Sequence, residues 1–181
     1  MEANEAGELQ EHAEHGAHEP SMRPVAFTMS VLAVLVAITT VLGHRTHTEA
    51  VLNQAKASDQ WNFYQAKNIR NTDTDNSAAL LSVLQVTDAK KAAEIAKKDA
   101  DKQAKWADDL KEEKEKAEAF ETKVERAEAK ATRFDLGEAL LEIALVTSSI
   151  TLLTRNRLYW YLGLAFGVLG VISSASVLLL K

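Results

Sequence analysis

Residues 117–153 read AEAFETKVERAEAKATRFDLGEALLEIALVTSSITLL. The first half is a charged helix and the second is apolar enough for lipid, yet one step runs through both. Counting alternately by three and four from Ala89 gives Ala89, Ala92, Ala96, Asp99, Gln103, Trp106, Leu110, Glu113, Ala117, Phe120, Val124, Ala127, Ala131 and Phe134. Eleven of those fourteen positions are apolar and their neighbours are mostly Lys and Glu, the heptad pattern of a packed helical seam. The step enters the apolar stretch through Glu138, Leu141 and Leu145. The spacing predicts one helix of more than sixty residues, charged at its start and lipid-compatible at its end.

Two other stretches match the apolar half of that helix, at 25–42 and 158–180. Crossing the hydrocarbon core takes roughly 20 apolar residues, and each stretch comes close. The mean hydropathy of -0.17 conceals two populations, one very apolar and one very polar. Only two prolines and seven glycines interrupt a chain rich in Ala, Glu, Lys and Leu, so the expected fold is all-α. The apolar stretches lack the alternation that a membrane barrel requires. The expected organisation is an acidic, His-bearing tail over 1–23 without apolar periodicity, and transmembrane helices over 24–43, 136–154 and 158–180. A long antiparallel helical (coiled-coil) hairpin over 44–135 lies between the first and second helices. The 25–42 stretch follows an acidic segment with Arg23 as its one cation, which suits an uncleaved anchor rather than a secretory leader.

Arm length locates the turn of that hairpin. Residues 71–77 (NTDTDNS) are rich in capping side chains, but a turn there leaves a short outgoing arm against a long return. A tip near 86–89 gives arms of about 44 and 47 residues, each about 65–70 Å long. Equal arms pack better, so 71–77 is expected to be a kink or a distorted turn, and Asp88 to cap the return helix. In that register Trp61 and Tyr64 face the stretch around Lys111 and Lys114, and Ile69 lies near Trp106.

Charge and composition exclude several function classes. There is no cysteine, hence no disulfide and no thiol chemistry. Residues 44–135 hold 17 Lys+Arg against 18 Asp+Glu, finely interspersed, which describes solvated helix faces and not a nucleic-acid surface. No nucleotide-binding, zinc-protease or serine-hydrolase motif occurs, so no enzymatic activity and no cofactor are expected.

Segments 57–70 (ASDQWNFYQAKNIR), 134–144 (FDLGEALLEIA), 154–157 (TRNR) and 159–167 (YWYLGLAFG) resemble the bacterial membrane family catalogued as domain of unknown function 4337. The resemblance extends over most of the chain from the first apolar stretch onward. It implies a multi-pass, helical protein of the bacterial plasma membrane, and it brings no activity or catalytic residue.

Several residue groups stand out against this background. Glu138 and Glu142 share one face of the second apolar stretch, where a carboxylate is costly and suggests function. A buried pair could share a proton on an ion path. The plainer reading places Glu138 at the interface and pairs Glu142 with Thr39, Thr40 or Arg45. His12, His15 and His18, among Glu11, Glu14 and Glu19, are weak metal candidates in a tail that more simply serves solubility. His44 and His47 suit the interface. Trp61, Phe63 and Tyr64 spread round the helix and cannot all enter one seam, so some are expected to meet another subunit, a partner or a membrane surface. Gly163, Gly167 and Gly170, continued by Ser174, allow close helix packing, either within the chain or between copies. Arg155 and Arg157 in a tight loop, with Arg23, favour that side as cytoplasmic and the hairpin as periplasmic or extracellular. Together these features predict a non-enzymatic structural or scaffold protein of the bilayer, self-assembling as a homo-oligomer through the hairpin and the glycine face. The alternative is a channel or transporter component that uses Glu142.

Overall fold

A computed structural model of the chain describes residues 21–84 and 88–180. They form three α-helices: α1 (Arg23–Val83), α2 (Ala89–Thr154) and α3 (Arg157–Ser176), followed by a 3₁₀ turn at Val177–Leu179. No strand occurs among the described residues. Each helix contains a segment long and apolar enough to cross a membrane.

Helix α1 runs for 61 residues. Pro24 sits in its first turn, where a missing N–H costs nothing. Of the kink or distorted turn expected at 71–77, the turn is absent, because the helix continues through these residues. The capping side chains there turn back on their own helix. Thr72, Thr74 and Ser77 donate to the carbonyls of Asn68, Arg70 and Asp73 at 2.8–3.0 Å. A hydroxyl bonded to the carbonyl one turn back can stay inside a helix, although such bonds slightly weaken or bend it.

The predicted tip at 86–89 falls partly on residues 85–87, which lie outside the described residues. Asp88 does cap α2, its carboxylate accepting from the Lys91 N–H at 3.1 Å. Helix α2 then continues for 66 residues without a break, from the charged segment into the apolar one. It ends at Arg155, a left-handed residue (φ 55°) whose N–H donates to the Thr151 carbonyl. Asn156 caps α3 by accepting from the Leu158 N–H at 3.0 Å.

By contacts the chain divides into two compact units, Ala50–Glu125 and the pair of segments Met1–Glu49 with Arg126–Lys181. In the two-segment unit, Met22 and then Val25, Met29, Leu32, Val36, Thr39, Gly43 and Thr46 of α1 turn inward at a three-four step, with Ala26 buried beside them. Leu141, Ala144 and Leu145 of α2 meet the apolar end of that row, with Trp160 and Phe166 of α3 packed against it.

In Ala50–Glu125 the buried or half-buried α1 positions include Ala50, Asn53, Ala57, Gln60, Tyr64, Lys67, Asn71 and Thr74 at a three-four step, with Trp61 beside it and Leu81 beyond. Ile69, expected beside Trp106, is 61% exposed, because that step passes it by. On α2 the predicted seam from Ala92 through Val124 is buried or half-buried, apart from Ala96; Ala89 is exposed as well. Side-chain contacts join the two rows. Gln60 donates to Glu113, Lys67 pairs with Glu113 at 2.9 Å and Asp109 at 3.4 Å, Gln103 donates to Asp75, and the Trp61 Nε1–H donates to Glu121 at 2.7 Å.

Candidate functional site

The two-segment unit gathers most of the candidate residues, and close backbone approach dominates it. Across the α2–α3 contact Gly137 faces Ser174 and Gly170, Leu141 faces Gly170, Ala144 faces Gly163 and Gly167, and Ser148 faces Gly163. Each step up α2 is a step down α3, so the two helices run antiparallel. A Cβ on Gly170 would stand 2.9 Å from the Gly137 carbonyl and 2.8 Å from Leu141 Cγ. One on Gly163 would stand 2.9 Å from the Ala144 carbonyl and 2.6 Å from Ser148 Oγ. Backbone atoms cannot yield, so only glycine fits at these points.

The glycine face predicted to pack within the chain or between copies is therefore filled by α2 of the same chain. Gly163, Gly167 and Gly170 are all buried there. Of the two alternatives expected for that face, the described residues show packing within the chain, with Leu32 of α1 also reaching Gly167. Sequence reasoning found one half of the contact and missed the other. Gly137, Leu141, Ala144 and Ser148 carry the same four-three-four spacing as Gly163, Gly167, Gly170 and Ser174. That match was the available signal. The Oγ atoms of Ser148 and Ser174, at opposite ends of the contact, are buried without a partner among the described residues.

The carboxylates divide. Thr40 donates to Glu138 at 2.5 Å, joining α1 to α2. One turn away His47 Nε2 lies 3.1 Å from both oxygens of Asp135. Thr40, one of the partners considered for Glu142, is thus engaged by Glu138. Glu142 is half-buried and makes no hydrogen bond or ion pair among the described residues. At the opposite end of the unit the Trp160 Nε1–H donates to Thr28 Oγ1 at 3.2 Å, and Arg157 donates to the Ser21 carbonyl at 3.4 Å.

The aromatic cluster belongs to Ala50–Glu125. Trp61 and Tyr64 stack edge to face, 5.5 Å between ring centroids, and both are half-buried. Phe63 is 62% exposed. Tyr64 lies on the three-four step and Trp61 lies beside it, bonded to Glu121, while Phe63 faces outward. Lys67 beside them holds its proton more tightly than an ordinary lysine, chiefly through its hydrogen bond to Glu113 and then the charges of Glu113 and Asp109.

His12, His15 and His18 lie outside the described residues. Among the described residues no group of three His, Asp or Glu side chains is placed to hold a metal ion.

No curated protein and no solved structure matches this chain. The model of the family described as "Domain of unknown function (DUF4337)" matches residues 21–180, so the chain belongs to that family.

Proposed function

We propose that the chain is a non-enzymatic integral membrane protein, anchored by three spans and projecting residues 50–125 as an antiparallel helical hairpin. The outer surface of the two-segment unit carries the proposal. Phe27, Val34, Ile38, Val146, Leu153, Leu158, Leu162, Val168 and Ile172 are each at least 37% exposed, far more apolar surface than a water-soluble bundle presents. The contacts from Trp61–Glu121 and Gln60–Glu113 to Asp75–Gln103 support the hairpin, since the α2 partner moves back along the chain as the α1 residue moves forward.

Copies self-assemble through the hairpin into a structural or scaffold homo-oligomer, and the outward Phe63 is the natural contact. In a bacterium this protein sits in the plasma membrane. Arg155 and Arg157 hold the tight turn on the cytoplasmic side, so the hairpin is periplasmic or extracellular. Light scattering of the detergent-solubilised protein tests the assembly. An oligomeric mass that survives dilution is expected, and a monomer at every concentration contradicts it.

Glu142 favours a second reading. A half-buried carboxylate without a partner among the described residues, on a candidate span, suits a channel or transporter component. Glu142→Gln separates the two readings: lost ion flux with intact assembly supports transport, and lost assembly supports the structural role.

A further inference from the structure

We propose that the distal end of the hairpin, residues 78–84 with 88–98, docks on an anionic bilayer surface facing the one that holds the spans, an inference that rests on the hairpin and anchor readings above. Residues 78–84 (AALLSVL) end α1 without a charge. Leu80, Val83 and Leu84 share one helical face there, and each is at least 59% exposed. The seam fades at this end. Among the described residues of 75–98 only Leu81 and Ala92 are half-buried, and the rest are exposed. On the hairpin reading α1 carries this apolar end about 50 Å beyond Ala50, away from the spans.

Charge selects the occupant. Lys90, Lys91, Lys97 and Lys98 open α2 as two pairs seven residues apart, all exposed and without an ion pair among the described residues. Farther along α2 the pattern changes: Lys102, Lys111, Lys114 and Lys116 each pair with an acid three or four residues away. Against the four lysines stand Glu94, which lies among them, and Asp88, which caps α2 at Lys91. Four cations against two acids leave a positive excess. Residues 85–87 (QVT) carry no charge, and the six glutamates of residues 1–20 are separated from this end by the first span. On the anchor reading they lie across the membrane from it.

Exposed apolar side chains beside such lysines suit a lipid–water interface. Leu80, Val83 and Leu84 enter the acyl boundary, while the ammonium groups stay with the headgroup phosphates. A second copy is a poorer occupant. Its own distal end bears the same positive excess and repels this one. Its acid-rich stretch, residues 106–121, holds seven carboxylates, and six of them already engage Lys67, Lys111, Lys114, Lys116 or Trp61.

A chain without cysteine permits a probe at the exposed Ser82. The full chain with Ser82→Cys carries an environment-sensitive fluorophore and is held in phosphatidylcholine nanodiscs, to which vesicles are added. Vesicles containing phosphatidylglycerol are expected to shift the emission to the blue and to bind at least about tenfold more tightly than pure phosphatidylcholine. Lys90→Gln with Lys91→Gln is expected to weaken that binding about tenfold or more. Val83→Ser with Leu84→Ser is expected to abolish the blue shift. Lys111→Gln with Lys116→Gln removes the same charge elsewhere on α2 and is expected to change nothing. Equal binding of the two vesicles, equal weakening by the two lysine pairs, or a blue shift that survives loss of Val83 and Leu84 overturns the docking and leaves the anchor intact. A blue shift that grows with disc concentration in the absence of vesicles assigns this end to a second copy and also overturns the docking. A chain that does not enter the discs overturns the anchor reading itself.

Discussion

The two units bury residues at the same three-four step along α1 and fill those positions with opposite chemistry. The two-segment unit inserts Val25, Met29, Leu32 and Val36, and brings α3 onto α2 through glycine. Ala50–Glu125 places Asn53, Gln60, Lys67 and Asn71 at the corresponding positions, half of them able to pair with charges across the contact. Lipid is as apolar as leucine, so association of spans depends on close van der Waals fit. In water, alanine burial and polar pairs suffice to choose a register, while the outer faces carry charge. The periodicity is a geometric requirement, and on the proposed membrane placement the solvent decides what occupies it.

The comparison breaks most visibly at the glycines. Gly163→Ala and Gly170→Ala each push a Cβ onto a carbonyl at 2.9 Å, and overpacking of this kind costs about 1–3 kcal/mol. Gly167→Ala meets only the flexible end of Leu32 at 3.0 Å and Ala144 Cβ at 3.7 Å, so it is expected to be much milder. Thermal unfolding of the three variants in detergent checks the order. Equal loss at all three positions contradicts the antiparallel glycine contact.

Gly43 gives the opposite sign. A Cβ there has ordinary room, 3.4 Å from Phe134 Cβ, and alanine is the better helix former by about 1 kcal/mol. Gly43→Ala is expected to raise the melting temperature, whereas Gly163→Ala lowers it.

The smaller effects belong to Ala50–Glu125. Lys67→Met removes the ion pairs to Glu113 and Asp109, and partly exposed pairs of this type contribute about 0–1 kcal/mol. The Lys67 pKa is raised above 10.5 in the folded chain, chiefly by its hydrogen bond to Glu113. Its contribution is therefore full below pH 10.5 and disappears as pH climbs through the raised value. Helicity followed by circular dichroism above pH 10 is expected to fall earlier in the native chain relative to its own neutral-pH stability than in Lys67→Met. Smallest of all, Ser77→Ala replaces an exposed, back-bonded serine and is expected to stabilise α1 by roughly 0.5 kcal/mol.

These contrasts also mark what was legible in the sequence. The α2 seam could be read because its occupants are Ala, Trp, Leu, Phe and Val against Lys and Glu neighbours. The α1 row could not, since Thr39, Gly43, Thr46, Asn53 and Gln60 carry no hydropathy contrast. Residues 71–77 misled for a related reason: Thr72, Thr74 and Ser77 are good caps, and composition does not reveal that they bond back within a helix. Of the candidate residues, the small-residue face on α3 was visible, but its partner was hidden because Leu141 interrupts the small residues of α2. The pairing of Thr40 with Glu138 rather than Glu142 depends on helix rotation, which spacing alone leaves free.

The central proposal is that lipid covers the two-segment unit and that residues 50–125 are in water, all on one side of the membrane. A chain without cysteine allows a direct test with single cysteines and a membrane-impermeant maleimide in sealed vesicles. Val34 and Val168 are 60% and 57% exposed, so the described residues of the chain do not shield them. The account predicts that Gln65→Cys and Lys97→Cys label from one side, Asn156→Cys from the other, and Val34→Cys and Val168→Cys from neither. Labelling of Val34→Cys or Val168→Cys as fast as Gln65→Cys, or of Asn156→Cys from the same side as Gln65→Cys, would contradict it.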